Sequence, residues 1–426
     1  MTDQIVKISL TDKMIIEITK KLCKRIEQYY IFPKIAQNIS NFVLNKLEQG
    51  LYNRITDPDK FVSVITNDLV KTSNDLHFYF EYNPLLALEL LKEKESKKTE
   101  NEDEFLEFKS RYEFEKYANF HITKAKRLPG NIGYIKMNDF PPAEFAGETI
   151  VGALQFLENS NAFIFDIRNN GGGYSSMVAL IISYFIEPGT KLLNTFYERK
   201  KDKYTQSLTL PYIPGKKFPE KPLYVLISSR TASGAEEFAY NLKMMDRATL
   251  VGETTRGAAN AVDIFPILDT FVIWLPIGRT INPISKDNWE GKGVSPHIEI
   301  RQEKALNKAH TLALKGLIEN ENDESIKKML EFEYEYCNAK YDQINIDLQA
   351  LQDFQGQYDK YKIFIQNNQL FYERSNLKSP LITKDNKTFF ADETIKLWFE
   401  QDNAEKLIVL ERRDYPNVLR IKKKEE

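Results

Sequence analysis

Leu223-Tyr-Val-Leu-Ile-Ser-Ser-Arg-Thr-Ala-Ser-Gly-Ala-Glu-Glu237 is the stretch on which the fold class turns. Leu223 to Ile227 is a short, unbroken apolar run, as expected of a strand buried on both faces. The small residues after it make a turn, and a helix is predicted from Ser233 to Met245. A turn of this kind presents a hydroxyl where a helix N-terminus supplies free backbone N–H groups. Such donors are what a developing oxyanion needs. On this segment alone the favoured reading of Ser233 is a helix N-cap, the commonest role of serine at that position.

Working outward, the same alternation repeats. Gly133 to Met137 reads as a strand, Phe145 to Asn159 as an amphipathic helix, and Ala162 to Ile167 as a buried strand. Ser175 to Phe185 reads as a helix, and Thr249 to Gly252 closes the unit. Short apolar strands alternating with helices indicate an α/β core. Between strand and helix lies Asp166-Ile-Arg-Asn-Asn-Gly-Gly-Gly173. Its glycines permit positive φ and close approach of another backbone. No Gly-Lys-Ser/Thr follows them, which argues against a phosphate-binding loop and leaves a plain flexible turn as the alternative.

The flanks differ from this core. Residues 1–95 read as helical, with Thr11 as an N-cap and further helices from Pro33 to Leu47 and Pro58 to Val70. Together they suggest a small bundle. Residues 96–129 are a charged linker and a strand, 130–302 the core, 303–345 a helical connector, and 346–426 a small antiparallel β domain. In that last region Tyr361 to Ile365, Gln369 to Glu373, Thr388 to Phe390, Ile395 to Phe399 and Leu407 to Glu411 read as strands. Asn367-Asn368 and Asp402-Asn403 supply turns. The aromatics there (Phe371, Tyr372, Phe389, Phe390, Trp398) are expected to form the region's own core.

Composition narrows the functions. The 59 basic residues balance 61 acidic ones, so nothing points to nucleic acid or an anionic membrane as partner. The apolar runs are too short to cross a bilayer. Cys23 and Cys337 are isolated and form neither a disulfide framework nor a zinc motif. The N-terminus shows no signal-peptide pattern, which predicts the cytoplasm, with the periplasm or secretion as the alternative if a signal has been removed. Of the four histidines (His77, His121, His297 and His310), His77 sits between a helix and a strand, His297 in a loop and His310 in a polar helix. A serine nucleophile needs a base, and no histidine alone identifies itself as one.

Taken in order, the segments resemble peptidase family S41, which groups carboxy-terminal processing proteases, tricorn core domains and retinoid-binding modules. The matching segments are Asp75-Leu-His77, Leu128-Pro-Gly-Asn-Ile-Gly-Tyr134, Asp166 to Gly173 and Thr231-Ala-Ser-Gly-Ala-Glu-Glu-Phe238. They continue with Gly252-Glu-Thr-Thr-Arg-Gly257 and Pro276 to Pro283, running into Asn288-Trp-Glu-Gly-Lys-Gly-Val-Ser-Pro296. The resemblance implies a crotonase-like (ClpP-like) core, a spiral of β-β-α units. It also implies hydrolysis of peptide bonds with Ser233 as nucleophile. Processing proteases use a Ser–Lys pair, but Ala258 stands where that lysine would be, and alanine accepts no proton. The tricorn-like arrangement fits instead, with His77 as general base and Glu290 orienting the base side. Gly234 and Gly173 N–H groups would form the oxyanion hole. No metal or organic cofactor is implied. Residues 80–125 are too few for the PDZ module that many family members carry.

The expected substrate is a peptide or unfolded protein, and a homo-oligomer is possible in this family. Because the fold also serves as a carrier, a non-catalytic module binding hydrophobic ligands or peptides is the alternative. His77 and Ser233 fall in different predicted domains, so a site completed by domain closure is a further expectation.

Overall fold

A computed structural model describes residues 8–75, 77–96, 113–342, 344, 346–402 and 405–424. The chain starts with helices α1 (Asp12–Tyr29), α2 (Pro33–Glu48) and α3 (Pro58–Ser73). Thr11 caps α1 by accepting from the Met14 N–H, and α2 and α3 each carry proline in the first turn. There follow β1 (Tyr79–Tyr82), α4 (Pro84–Ser96), β2 (Ile122–Leu128), β3 (Ile132–Met137), α5 (Ala143–Phe156) and β4 (Ala162–Asp166). Next come α6 (Ser175–Tyr184), β5 (Leu192–Glu198), β6 (Lys203–Leu208), β7 (Leu223–Ile227), α7 (Gly234–Met244) and β8 (Thr249–Gly252). The central region ends with β9 (Ala261–Ile267), β10 (Phe271–Ile281) and β11 (Ile298–Glu299). The architecture is mixed α/β. Of the charged linker, residues 97–112 lie outside the described residues, as does Leu76.

One six-stranded sheet runs β11-β8-β7-β4-β3-β2. Its β7–β8 and β8–β11 pairs are parallel, and β4 is buried along its whole length. Helices α5, α6 and α7 follow β3, β4 and β7, so the turns after β4 and β7 leave neighbouring strands. These two turns are laced together. Ala232 N–H donates to the Asn170 carbonyl at 3.1 Å and the Thr231 hydroxyl to the Ile167 carbonyl at 2.9 Å.

A second sheet runs β1-β10-β5-β6, with β9 also paired to β10. Apart from β1, the strand expected after His77, its strands were not read from the sequence. In β10 the punctuating Pro276 and Gly278 mask an eleven-residue strand, and the ladder accommodates them with a register shift between those two positions. The N-terminal helices do not close a core among themselves. Ile15, Ile18, Leu22, Ile39, Phe61 and Ile65 share one buried cluster with Phe265, Phe271 and Ile273 of β9 and β10. Strand β1 pairs antiparallel with β10, Tyr79 opposite Trp274 through Tyr82 opposite Phe271. That pairing anchors the turn carrying His77.

By contact density the chain forms two compact units. The first comprises residues 1–124, 135–158 and 165–302, the second residues 125–134, 159–164 and 303–426. The second unit contains α8–α10: α8 (Gln302–Asn320, all but its first residue), α9 (Glu324–Tyr341) and the short α10 (Leu348–Gln352). It also holds two antiparallel sheets, β12 (Gly356–Tyr358) to β15 (Leu377–Pro380) and β16 (Ile382–Thr383) to β20 (Tyr415–Lys422). Asn367 and Asn368, at φ 50° and 59°, form a two-residue hairpin turn that needs positive φ at both positions. The other expected turn, at Asp402-Asn403, lies partly outside the described residues. Phe389, Phe390 and Tyr372 are buried, so these aromatics serve as core.

Candidate active site

Ser233 follows β7 and precedes α7. Its backbone sits at φ 52°, ψ −122°, far from the extended conformation of an ordinary N-cap. Positive φ in a non-glycine residue costs of order 1–3 kcal/mol and persists only where the surroundings enforce it. Ser233 is exposed while Thr231, Ala232, Gly234 and Ala235 around it are buried. A sharp, strained strand-to-helix turn of this type lifts a hydroxyl clear of the sheet.

The surroundings that enforce it are visible. A Cβ on Gly172 would lie 2.7 Å from Ser233 Cβ, and one on Gly234 would lie 2.6 Å from the Gly173 carbonyl oxygen. The glycine loop therefore packs backbone to backbone against the serine turn, which no larger residue allows. Gly173, at φ 126°, is pressed against Phe140, where an added Cβ would come within 2.1 Å of the carbonyl oxygen. Among the described residues no hydrogen bond occupies the N–H of Gly173 or of Gly234.

His77 lies in the turn between α3 and β1. Asp75 Oδ1 accepts from both the His77 backbone N–H and ring Nδ1, each at 3.0 Å. Glu290 Oε1 forms an ion pair with the same ring nitrogen at 3.4 Å. Burial disfavours charge on the ring, but hydrogen bonds and charges from Asp75 and Glu290 outweigh it and push its pKa up to about 9. Burial likewise opposes ionisation of Asp75, and the His77 contacts overcome it and hold its pKa below the usual carboxylate value. Asp75 Oδ2 accepts from the Tyr30 hydroxyl at 3.1 Å and from Asn260 Nδ2 at 3.3 Å. Donor atoms of Asp75, His77 and Glu290 lie within 4.8 Å of one another, close enough to hold a cation. An imidazolium between two carboxylates accounts for the same geometry.

The structure brings His77 together with Glu290, and Ser233 together with Gly173 and Gly234. Both groups belong to one compact unit, and a single loop, Gly257–Asn260, links them. Glu236 accepts from the N–H groups of Ser233 (2.9 Å), Gly257 (2.6 Å) and Ala258 (2.8 Å). Glu290 Oε2 accepts from those of Ala259 (2.8 Å) and Asn260 (2.9 Å). Glu236 also accepts from the Thr255 hydroxyl, and burial of this carboxylate outweighs its hydrogen bonds and raises its pKa.

Three members of this network were not singled out from sequence: Asp75, Glu236 and Asn260. Two carried a signal. Asp75 stands two residues before His77, the spacing at which aspartate bonds its own backbone. Glu236 stands three after Ser233, the spacing of a capping box. Asn260 had none, since its partner is 185 residues away. The remaining histidines have other work. His310 is buried between the Pro129 carbonyl and the Tyr341 hydroxyl, and burial pushes its pKa down to about 4. His297 Nδ1 accepts from the Leu250 N–H, and His121 pairs with Glu115.

Residues 131–300 match the model of peptidase family S41. The chain is 29% identical over 181 residues to the carboxy-terminal processing protease CtpB of Bacillus subtilis, covering 42% of this chain and 36% of that one. It is 28% identical over 162 residues to a carboxyl-terminal-processing protease of Synechocystis, covering 37% and 36%. The chain thus spans about a third of the length of these relatives. The photosystem II D1 C-terminal processing protease superposes with a TM-score of 0.43 at 15% identity, covering 69% of this chain and 94% of that one. No helix among the described residues is long and apolar enough to cross a membrane. Over residues 131–300 this chain is similar to peptidase family S41.

Proposed function

We propose that this protein is a serine peptidase that hydrolyses peptide bonds through an acyl-enzyme on Ser233. The observation that carries the reading is the strained, exposed Ser233 seated against Gly172 and Gly173 at the N-terminus of α7. His77 takes the proton from Ser233 Oγ as the Oγ–carbonyl carbon bond forms. The oxyanion is received by the Gly173 and Gly234 N–H groups. Collapse breaks the C–N bond, and His77 returns the proton to the departing amine. Water, deprotonated by the same ring, then releases the acyl group as a carboxylic acid and restores Ser233. Glu290 supplies negative charge behind the ring. No lysine is available at position 258, so the proton has to go elsewhere than in a Ser–Lys pair.

The substrate class is a peptide or unfolded protein, by analogy with the processing proteases that the region resembles. The succession of β3–α5, β4–α6 and β7–α7 supports a crotonase-like spiral for residues 130–302, with the helical connector 303–345 and the β region 346–426 sharing the second compact unit. Active-site labelling with a fluorophosphonate tests the reading. Wild type is expected to label, Ser233→Ala to lose labelling, and His77→Ala to slow it strongly. A folded wild type that fails to label would refute it and turn attention to a carrier of hydrophobic ligands or peptides.

A further inference from the structure

Glu290 was the sequence-derived candidate for orienting the base, yet the geometry points to a different residue. We infer that Asp75 is the principal positioning residue of His77, fixing the ring through Nδ1 so that Nε2 is left as the acceptor, while Glu290 chiefly holds the Gly257–Asn260 loop. The inference rests on the reading of His77 as general base.

Three observations carry it. First, Asp75 Oδ1 contacts the ring at 3.0 Å, within ordinary hydrogen-bond range, whereas Glu290 Oε1 stands at 3.4 Å. Second, the same Oδ1 grips the His77 backbone N–H at 3.0 Å, so one atom fixes both ends of the residue. A ring held at both backbone and Nδ1 has little freedom in either side-chain torsion. Third, Asp75 is itself immobilised. Its side chain is 4% exposed, and its Oδ2 is held by Tyr30 from the end of α1 and Asn260 from the loop. Glu290, by contrast, spends Oε2 on two backbone N–H groups of that loop.

Nδ1 protonated and donated to Asp75 leaves Nε2 as the acceptor a general base needs. On proton transfer from Ser233, the charge that develops on the ring is compensated by a carboxylate already in contact with it. The charged and titratable groups around the ring are Asp75 and Glu290, with the Tyr30 hydroxyl behind them.

Asp75→Asn preserves size and removes the charge. Either orientation of the new amide also sets an N–H donor against existing donors, His77 on one side or Asn260 and Tyr30 on the other. Asp75→Asn is expected to lower the fluorophosphonate reaction rate by roughly 10²–10⁴, the scale of such losses where an aspartate orients a histidine base. Glu290→Gln should lower it by less than about tenfold. A second readout does not depend on reactivity. In protein labelled with ¹⁵N-histidine, the His77 titration midpoint is expected to fall by about one unit or more in Asp75→Asn, and by less in Glu290→Gln. Should Asp75→Asn not fold, Tyr30→Phe, which removes one donor to Asp75 without touching the ring, is expected to shift the same midpoint. Asp75→Asn with near wild-type reactivity and midpoint, alongside a Glu290→Gln that loses both, would overturn the inference. Failure of wild type to label, with the His77 midpoint still governed by Asp75, would instead refute the peptidase reading and leave the positioning intact.

Discussion

With His77 as the proposed general base, a pKa of about 9 predicts a resting site that is largely inactive at neutral pH. A general base works only in its neutral form. With its pKa pushed up from 6.5 to about 9, roughly one ring in a hundred is neutral at pH 7. The second-order rate of fluorophosphonate labelling, which reports the free enzyme, is therefore expected to rise roughly tenfold per pH unit between 7 and 8.5 and to level above 9. The same proton contributes to stability. A folded-state pKa above the unfolded value means the contribution is fully present below pH 6.5 and disappears as pH rises through about 9. For a ring whose side chain is 14% exposed, a displacement of that size corresponds to roughly 3 kcal/mol at most. Melting wild type against His77→Gln across this window measures that term directly. Labelling that is flat from pH 7 to 9, or half-maximal near 6.5, would refute the reasoning, because it would mean the two carboxylates do not hold a proton on the ring.

Three further outcomes follow from the packing. Gly173→Ala brings a Cβ to 2.1 Å from the Phe140 carbonyl at a φ of 126°, so it should abolish labelling and cost about 2 kcal/mol or more in chemical denaturation. Glu237 is buried, its carboxylate accepting from Ser175 and Asn194 among the described residues, and burial raises its pKa from 4.5 to about 7. Its contribution is present below pH 4.5 and lost as pH rises through 7, so Glu237→Gln should flatten the stability profile in that interval, by up to roughly 3 kcal/mol. Glu236→Gln and Glu290→Gln touch no common side chain but hold one loop. Their effects on denaturation should be non-additive by about 0.5 kcal/mol or more in a double-mutant cycle, and additivity would mean the loop does not couple them.

The parts of this protein that were legible in its sequence are those set by local chemistry. The buried strands β4 and β7 announce themselves as apolar runs, α1 by its cap Thr11, and α3 by the proline in its first turn. The Asn367-Asn368 hairpin follows from residues that tolerate positive φ. What stayed hidden depends on partners far along the chain. Strand β10 carries Pro276 and Gly278, which locally spell a loop, and only its pairing with β1, β5 and β9 makes it the centre of a sheet. The N-terminal helices looked like a bundle because their apolar faces are real. The face they cover belongs to β9 and β10, two hundred residues on. Ser233, His77 and Glu290 were named from an ordered set of segments. Asp75, two residues from His77 and inside the quoted motif, was passed over because its role is a contact, which spacing suggests but does not assign.

The Gly257–Asn260 loop accounts for how a strained serine and a histidine borne by different segments can be held in fixed relation. Its four consecutive N–H groups are taken by two carboxylates, Glu236 for the first pair and Glu290 for the second. Its carbonyls are taken as well: that of Gly257 by the Gly291 N–H, that of Ala258 by the Trp289 indole, that of Ala259 by the Thr280 hydroxyl. A backbone satisfied on both sides has little freedom to move without breaking several buried hydrogen bonds, each left unmade at a cost of about 1–3 kcal/mol. Each end of the loop is then tied to one functional side chain, Ser233 through Glu236 and His77 through Glu290 and the Asn260–Asp75 bond. In a site that uses lysine at position 258, this loop carries the proton acceptor itself. Here alanine occupies that position, and on the proposed reading the loop is instead the spacer between Ser233 and an acceptor, His77, on the turn before β1.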